Sequence, residues 1–262
     1  MAHPRPYWAD MTSPDFTVDT SGWVAVIPTA AIEQHGPHLP VGTDTILGEG
    51  MVKTVVDRLP ADVPATFLPI QTIGKSNEHI SYRGTLTLTW ETAIKAWLEI
   101  GASAARAGIR RIVFVNSHGG NTSMLDIITR ELRVRFDILA VSTAWLRFGD
   151  KGVIDDHERH IGIHGGTLET ALVRHFRPEL VRDEHLQNFE SEQMKLVAEQ
   201  THLRIHGTHS FAWKSGDLNP YGVVGDATRG TAEMGRELAD YHADRFIELL
   251  RDVATIDLSV LK

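Results

Sequence analysis

The sequence contains no cysteine. This absence excludes disulfides, thiolate nucleophiles and cysteine-ligated zinc, and it fits a reducing cytoplasm. The chain also lacks an apolar run long enough to span a bilayer, and residues 1–10 do not show the basic-then-apolar pattern of a signal peptide. We therefore expect a cytoplasmic protein that has no membrane partner.

Basic residues are in short supply. The chain has 26 Lys and Arg against 34 Asp and Glu, which gives a formal net charge of −8. This balance argues against a nucleic-acid partner, which would require a basic surface. Histidine, in contrast, is abundant, with 14 copies. Histidine is the commonest transition-metal ligand and the usual proton carrier near neutral pH, so the positions of these residues decide what they do.

Short apolar runs alternate with longer amphipathic segments, without internal repeats or a linker. The pattern predicts strands at 23–28, 65–70, 111–116 and 138–142, an extended segment at 85–89, and helices at 45–58, 90–107, 122–135, 165–176 and 231–253. Residues 178–220 are polar and irregular, with some helix near 191–200. The alternation predicts an α/β fold, a mostly parallel sheet with helices on both sides, formed by one domain over residues 1–262.

Polar clusters follow three of the predicted strands. Glu33, His35 and Asp44 come after the first strand, and His118 comes directly after the strand at 111–116. A third cluster, which begins at His164 and includes Glu169, follows the strand at 138–142 and its loop. Because ligands bind at the carboxyl ends of parallel strands, we expect these clusters to converge on one pocket.

The residue types in these clusters suit a metal site. Glu33 and His35 are two residues apart, so in an extended segment their side chains point to the same side. Asp44 lies in a loop rich in glycine and proline, and its two oxygens can bridge two ions that sit roughly 3.5–4 Å apart. Carboxylate and imidazole ligands without sulfur suit Zn²⁺, Mn²⁺ or Fe²⁺. For any one of these residues alone, a solvated or hydrogen-bonded loop position is at least as good an interpretation.

Other histidines give weaker signals. His38 and His79 are interpreted equally well as ligands, as supports of the ligands or as residues that face the substrate. The run over residues 155–160 resembles a metal motif, but contiguous charge usually marks a solvated loop, and we predict that role. For His202, His206 and His209 we expect surface positions or subunit contacts.

At these residues the chain resembles the creatininase family of amidohydrolases. The resemblance implies a three-layer α/β/α fold, a pair of divalent metal ions and hydrolysis of a non-peptide C–N bond. Members of the family often assemble as hexamers, so the resemblance also implies a homo-oligomer. Five motifs carry the resemblance in order: residues 31–36 with Asp44, 76–79 leading to 84–85, 116–121, 164–166 leading to Glu169 and Thr170, and 222–226.

Ligand roles follow from the resemblance motif by motif. It implies that Glu33, Asp44 and His118 hold one metal ion, and that His35 and the bridging Asp44 hold the other. Creatininases carry a tyrosine and an acidic ligand directly after the third-motif histidine, where this chain has two glycines. By analogy with members of this Gly-Gly form, Glu169 is the expected replacement ligand.

The two glycines after the third-motif histidine also bear on the choice of substrate. Gly119 and Gly120 stand at the positions of the tyrosine and the acidic ligand of creatininases. The position of a creatininase tryptophan falls at about His160, and Trp145 matches an aromatic residue of the creatininase pocket. We therefore predict poor creatinine turnover. Members with the Gly-Gly form include a formamidopyrimidine-nucleotide deformylase and a peptide-processing enzyme of a redox-cofactor pathway.

The expected activity is hydrolysis of a cyclic or other non-peptide amide by water that two divalent ions activate. His164 is the expected proton donor to the leaving nitrogen, and His79, Trp145, Gly119 and Gly120 are expected to contact the small-molecule amide. A formamide deformylase and a peptide-processing enzyme are alternatives within the family. From other classes, a non-catalytic metal- or ligand-binding α/β protein remains open, and so does a nucleotide-binding oxidoreductase, although the glycine-rich dinucleotide fingerprint is missing.

Overall fold

The computed structural model describes residues 3–261. At its centre lie four strands, which are β1 (Val24–Thr29), β2 (Ala65–Phe67), β3 (Arg111–Asn116) and β4 (Leu139–Ala144). All neighbouring pairs are parallel, and the order across the sheet is β2-β1-β3-β4. Strand β1 is buried over its whole length. A strand covered on both faces requires a continuous apolar run rather than an alternating pattern, and β1 and β3 both have one.

Helices cover both faces of this sheet, and a short antiparallel pair, β5 (Asn188–Phe189) and β6 (Gly225–Asp226), lies outside it. No helix within residues 3–261 is long and apolar enough to cross a membrane. The helices are α1 (Thr43–Arg58), α2 (Trp90–Arg106), α3 (Thr122–Phe136), α4 (Asp156–Ile161), α5 (Thr167–Phe176), α6 (Gln193–Glu199), α7 (Ser215–Leu218) and α8 (Ala232–Thr255).

Successive strand residues point to opposite faces, and each face has its own core. Val113 packs in a cluster with residues of α1, α5 and α8, such as Phe246. Its neighbour Phe114 packs in a second cluster with residues of α2 and α3, such as Trp97. The architecture is therefore the expected three-layer α/β/α arrangement with a parallel central sheet.

The elements agree with the predicted ones, with differences at their ends. The strand predicted over 65–70 ends at Phe67, because Pro69 has no N–H to donate to a neighbouring strand. The segment 85–89 is extended but forms only an isolated antiparallel bridge, from Leu86 to Ile32. The irregular region 178–220 contains β5, α6 and α7.

The order of the strands determines where a site can form. The chain passes from β1 to β2 on one side of β1, and then crosses to β3 on the other side. The carboxyl ends of β1 and β3 therefore mark the point where the connections diverge, which leaves a crevice in open α/β sheets. At this point Thr29 Oγ1 donates to Asn116 Oδ1 at 3.1 Å, which ties the two strand ends together.

Candidate metal and active site

A narrow loop follows β1 and carries the first two candidate ligands. The Glu33 N–H donates to the Val41 carbonyl at 2.9 Å, and His35 forms an antiparallel bridge with Leu39. Gly36 begins the turn with a φ of 71°, a backbone conformation that favours glycine. The loop thus holds Glu33 and His35 in adjoining positions beside the end of β1, and both side chains are buried.

Asp44 lies in the first turn of α1, and the prediction that it belongs to a loop is wrong. The helix begins directly after Gly42, and its positive N-terminal end favours a carboxylate there. Asp44 Oδ1 lies 3.6 Å from His35 Nε2, and Asp44 Oδ2 lies 3.3 Å from His118 Nδ1. One oxygen of this carboxylate therefore faces each histidine.

The second nitrogen of each histidine is fixed by a backbone carbonyl. His118 Nε2 donates to the Lys75 carbonyl at 2.8 Å, so Nδ1 faces the carboxylates and lies 3.2 Å from Glu33 Oε1. His35 Nδ1 donates to the Glu33 carbonyl at 3.1 Å, and its Nε2 lies 3.6 Å from Glu169 Oε2. Metal-ligating histidines usually donate their other N–H in this way, which fixes the tautomer and the ring orientation.

Several buried polar atoms in this cluster lack hydrogen bonds. Within the described residues these include both oxygens of Glu33, Asp44 Oδ2 and His35 Nε2. Burying charged oxygens without partners is costly, so atoms in this arrangement suit coordination of a cation. Glu33, His35 and Asp44 offer donor atoms within 4.8 Å of one another, and so do His35, His164 and Glu169. Oxygen and nitrogen donors of this kind fit Zn²⁺, Mn²⁺ or Fe²⁺.

The electrostatics of this cluster also favour positive charge among the carboxylates. Burial alone would lower the pKa of His35, but the carboxylates of Asp44 and Glu169 raise it to about 9. The pKa of His118 lies well above its ordinary value because Glu33 and Asp44 outweigh the effect of burial. Burial raises the pKa of Glu169 to about 7. At neutral pH, protons on His35 and His118 therefore supply the positive charge that the buried carboxylates need.

Two further histidines adjoin Glu33 from the cavity side. His164 Nε2 donates to the Gln34 carbonyl at 2.9 Å, and its Nδ1 lies 3.6 Å from Glu33 Oε1. His79 Nε2 lies 3.5 Å from the same oxygen. Burial lowers the pKa of His164 well below its ordinary value and that of His79 to about 4. Both imidazoles are therefore neutral at physiological pH, unlike those of His35 and His118.

A cavity of about 980 Å³ opens over these groups. Its lining includes Glu33, His79, His118 and His164, and it also includes residues of the segment 205–214, among them Phe211, Trp213 and Lys214. His206 also lines this cavity, whereas His202 and His209 are exposed, as predicted.

Gly119 and Gly120 both line this cavity, but their surroundings differ. A Cβ at Gly119 would meet no atom within 4 Å. A Cβ at Gly120 would lie 2.4 Å from Glu78 Oε1, from His118 Nε2 and from the Lys75 carbonyl oxygen. The chain therefore has room for a side chain at the first glycine and none at the second.

Trp145 and His38 lie away from the main cavity. Trp145 is 3% exposed and packs edge-on against Phe246, with ring centroids 4.9 Å apart. It lines a smaller cavity of about 260 Å³ together with Gly119 and Glu169. His38 is buried against Phe189, and its Nε2 donates to the Gly165 carbonyl at 2.9 Å, which indicates a structural role.

Glu78 and Gln34 adjoin the candidate site, but the sequence did not single them out. Glu78 lines the cavity, its Oε1 lies 3.6 Å from His118 Nε2, and burial raises its pKa. Its position directly before His79 was the available signal. Gln34 lies between Glu33 and His35, and its amide contacts His79. A neutral amide between two candidate ligands gives no signal of its own.

The prediction of a solvated loop over residues 155–160 is wrong for Glu158. The segment forms α4, and Glu158 is 2% exposed. Glu158 Oε1 accepts the Thr167 N–H at 2.8 Å, and Oε2 accepts the Asp226 N–H at 2.9 Å. Even a highly charged helix has one face that packs inward. The Glu158 carboxylate lies on that face and links the start of α5 to β6.

Comparisons with known proteins identify the relatives of this chain. The family model described as "Creatininase: Creatinine amidohydrolase" matches residues 9–250. A mycofactocin precursor peptide peptidase from Mycobacterium ulcerans is 33% identical over 224 residues, which cover 83% of this chain and 81% of that protein. A creatinine amidohydrolase from Pseudomonas putida is 31% identical over 172 residues, which cover 60% of this chain and 66% of that protein.

The fold has solved counterparts. A structure named "Creatininase Mn" superimposes with a TM-score of 0.76 at 21% identity, and the match covers 97% of this chain and 100% of that one. At this identity the likeness concerns the fold alone, and it agrees with the three-layer architecture. Together with the family match over most of the sequence, these findings establish that the chain belongs to the creatininase family of hydrolases.

Proposed function

We propose that this protein hydrolyses an amide C–N bond with two divalent metal ions held between β1, β3, α1 and α5. Glu33, Asp44 and His118 would hold one ion, and His35, Asp44 and Glu169 the other. The observation that carries the proposal is the position of Asp44, whose two oxygens face His35 and His118 separately. A carboxylate so placed suits a bridge between two ions.

Divalent ions at such a site supply Lewis-acid chemistry, since they activate water and polarise a carbonyl group. The protein supplies the proton transfer. Neutral His164 donates from Nε2 to the Gln34 carbonyl, so its Nδ1 is unprotonated and lies 3.6 Å from Glu33 Oε1. In our proposal Nδ1 takes a proton from the attacking water and then returns it to the leaving nitrogen. His164 thus begins the reaction as a base and finishes it as an acid.

The substrate that we propose is larger than creatinine. A cavity of about 980 Å³ lies at the upper end of the range of roughly 300–1,000 Å³ for sites that bind drug-sized ligands. The motif resemblance aligns Gly119 and Gly120 with a tyrosine and an acidic ligand of creatininases, and on that basis we also propose that creatinine is turned over poorly. The relative from M. ulcerans is named for a precursor peptide. This supports a peptide-processing reaction over a formamide deformylation.

Three further properties remain predictions. We propose that residues 1–262 form one domain, and this agrees with two hydrophobic clusters that share a single sheet. We also propose a homo-oligomer, with a hexamer as the family precedent, and a cytoplasmic location.

The test is a hydrolysis screen on metal-stripped protein to which Zn²⁺, Mn²⁺ or Fe²⁺ is restored. Short peptides, formamides, cyclic amides and creatinine would serve as substrates, and metal content would be measured in parallel. We expect hydrolysis that depends on the metal, with creatinine among the poorest substrates. A protein that binds metal but hydrolyses no amide would be a binding protein, and one that binds no metal would overturn the proposal. Efficient creatinine turnover would overturn the substrate assignment alone.

A further inference from the structure

We propose that Gln34 fixes the tautomer of His79 so that His79 presents an Nε2–H group to the oxygen of the scissile amide and is not a metal ligand. This inference rests on the proposed function, because it assigns a role within the same site. It gives His79, which the sequence already places among the expected substrate contacts, a defined role as a hydrogen-bond donor, and it adds one positioning residue, Gln34.

The orientation of the Gln34 amide follows from its neighbours. Its Oε1 lies 2.9 Å from the Gly36 nitrogen, which can only donate. Its Nε2 lies 2.6 Å from the Gly222 carbonyl, which can only accept. If the amide oxygen and nitrogen of Gln34 were exchanged, the oxygen would face the Gly222 carbonyl oxygen, and the nitrogen would face the Gly36 N–H. The amide nitrogen must therefore face Gly222, and it keeps a second hydrogen.

That second hydrogen points to His79. Gln34 Nε2 lies 2.8 Å from His79 Nδ1, which must therefore be the acceptor. His164 Nε2 is also within 3.3 Å of the amide nitrogen, but it donates its own hydrogen to the Gln34 carbonyl. A proton on His79 Nδ1 would bring two donors face to face. The hydrogen of the neutral ring consequently sits on Nε2, the atom that lies 3.5 Å from Glu33 Oε1.

His79 is thereby set apart from the other three histidines around Glu33. His35, His118 and His164 each donate to a backbone carbonyl and direct the remaining nitrogen toward the carboxylates. His79 accepts a hydrogen bond instead and directs an N–H into the site. Glu33, His79 and His164 come close enough together to hold a metal ion. The tautomer argues against that site, because a protonated nitrogen has no lone pair for a cation.

An N–H group in this position has a chemical use. His79 is 2% exposed, lines the cavity and lies beside a carboxylate that the proposed ion would engage. A substrate carbonyl that approaches the ion would come within reach of His79 Nε2. A fixed donor there stabilises the negative charge that develops on the oxygen when water attacks, and no proton needs to be transferred.

The first test compares His79→Ala with His79→Gln in metal-loaded protein. Removing one oxyanion donor typically lowers kcat about 10²–10³-fold, and we expect such a loss for His79→Ala with a smaller change in KM. The amide of His79→Gln keeps an N–H donor, so its loss of kcat should be smaller. Both variants should retain the full metal content of the wild type. Loss of a metal equivalent in either variant would show that His79 is a ligand and would overturn the proposal.

The second test concerns Gln34. Zinc-loaded protein labelled with ¹⁵N-histidine should show a protonated Nε2 and an unprotonated Nδ1 for His79, a signal identified by its loss in His79→Gln. In Gln34→Leu this pattern should change, and kcat should fall. In the His79→Ala background, Gln34→Leu should lower kcat little further, because Gln34 acts through His79. Equal losses in the two backgrounds, or a wild-type signal from protonated Nδ1, would contradict the inference.

These outcomes separate the inference from the proposed function. If the wild type hydrolyses no amide, the proposed function fails, and the histidine signal still tests the tautomer. If the wild type is active but His79→Ala keeps its kcat, the inference fails and the proposed function stands.

Discussion

At the scale of single residues, Glu169 is the proposed ligand whose role most needs a test. Its Oε2 accepts the Gly165 N–H at 2.6 Å and also lies 3.6 Å from His35 Nε2, so it has a structural contact as well as a proposed metal contact. Glu169→Gln keeps an oxygen that can accept from Gly165 but removes the charge. We expect loss of one metal equivalent and most activity, whereas Asp44→Asn, which removes the bridge, should lose both ions.

Elemental analysis of the purified variants, with thermal unfolding as a check on the fold, measures these losses. If Glu169→Gln keeps both ions and only unfolds at a lower temperature, its role is structural. If Asp44→Asn keeps both ions, Asp44 does not bridge them.

Gly119 and Gly120 offer a matched pair of substitutions. Alanine at Gly120 would place Cβ 2.4 Å from the Lys75 carbonyl oxygen, which belongs to the backbone and cannot rotate away, whereas alanine at Gly119 enters open space. Overpacking of this kind typically costs about 1–3 kcal/mol. We expect Gly120→Ala to lower stability by about that amount and to displace His118, while Gly119→Ala stays near the wild type. Denaturant unfolding of the two variants tests this, and equal stabilities would contradict it.

The sequence predicted side chains that carry a strong chemical signal and missed those whose role depends on distant partners. Glu33 and His35 could be predicted because their spacing and position after a strand are visible locally. Gln34 could not, because its decisive partner, the Gly222 carbonyl, lies 188 residues further along the chain. The role of Glu158 likewise depends on two N–H groups that only the folded chain brings together.

At the scale of elements, strands were predicted better than loops and short helices. Strand β3 (Arg111–Asn116) lies where the apolar run predicted it, because a strand buried on both faces leaves a clear pattern. Asp44 was placed in a loop because Gly42 and Pro40 nearby favour turns, yet α1 begins immediately after Gly42. Turn-forming residues before a helix are compatible with a longer loop and with a helix that begins at once, and the sequence alone does not distinguish the two.

Helix α4 shows how such a short element supports the site. Glu158 receives N–H groups from Thr167 and from Asp226, and Gly166 lies so close that a Cβ there would be 2.6 Å from its Oε1. We expect Glu158→Ala to leave the buried Thr167 N–H and the half-buried Asp226 N–H without acceptors, and a buried group left in this way costs about 1–3 kcal/mol. Glu158→Gln keeps one acceptor oxygen and should lose roughly half as much. Denaturant unfolding measures both, and substitution of the exposed Asp156 in the same helix is the control. A stability for Glu158→Ala equal to that control would contradict this role.

At the scale of the whole molecule, the site joins parts of the fold that are otherwise separate. Glu33 follows β1, His118 follows β3, Asp44 belongs to α1 and Glu169 belongs to α5. Repulsion among the three carboxylates therefore acts on the packing of the sheet against helices on one of its faces. In the metal-free protein, protons on His35 and His118 offset this repulsion, and a metal ion would take over the same task.

This exchange of protons for metal ions predicts how stability depends on pH. The pKa of His35 rises from an ordinary 6.5 to about 9 on folding, so its contribution is complete below pH 6.5 and is lost as pH rises toward 9. At 1.36 kcal/mol per pKa unit, the full contribution is about 3 kcal/mol. The raised pKa of His118 acts in the same direction. We therefore expect the melting temperature of metal-stripped protein to fall between pH 6.5 and 9.

Metal-loaded protein should show a flatter profile over the same range, because the ions need no proton on either histidine. Metal binding at pH 7.5 should correspondingly release protons, which calorimetry in buffers of different ionisation enthalpy detects. His35→Gln provides the control, since it removes one titrating group and should flatten the profile of the metal-stripped protein. A melting temperature that rises from pH 6.5 to 9 without metal, or metal binding without proton release, would show that these histidines do not carry the compensating charge.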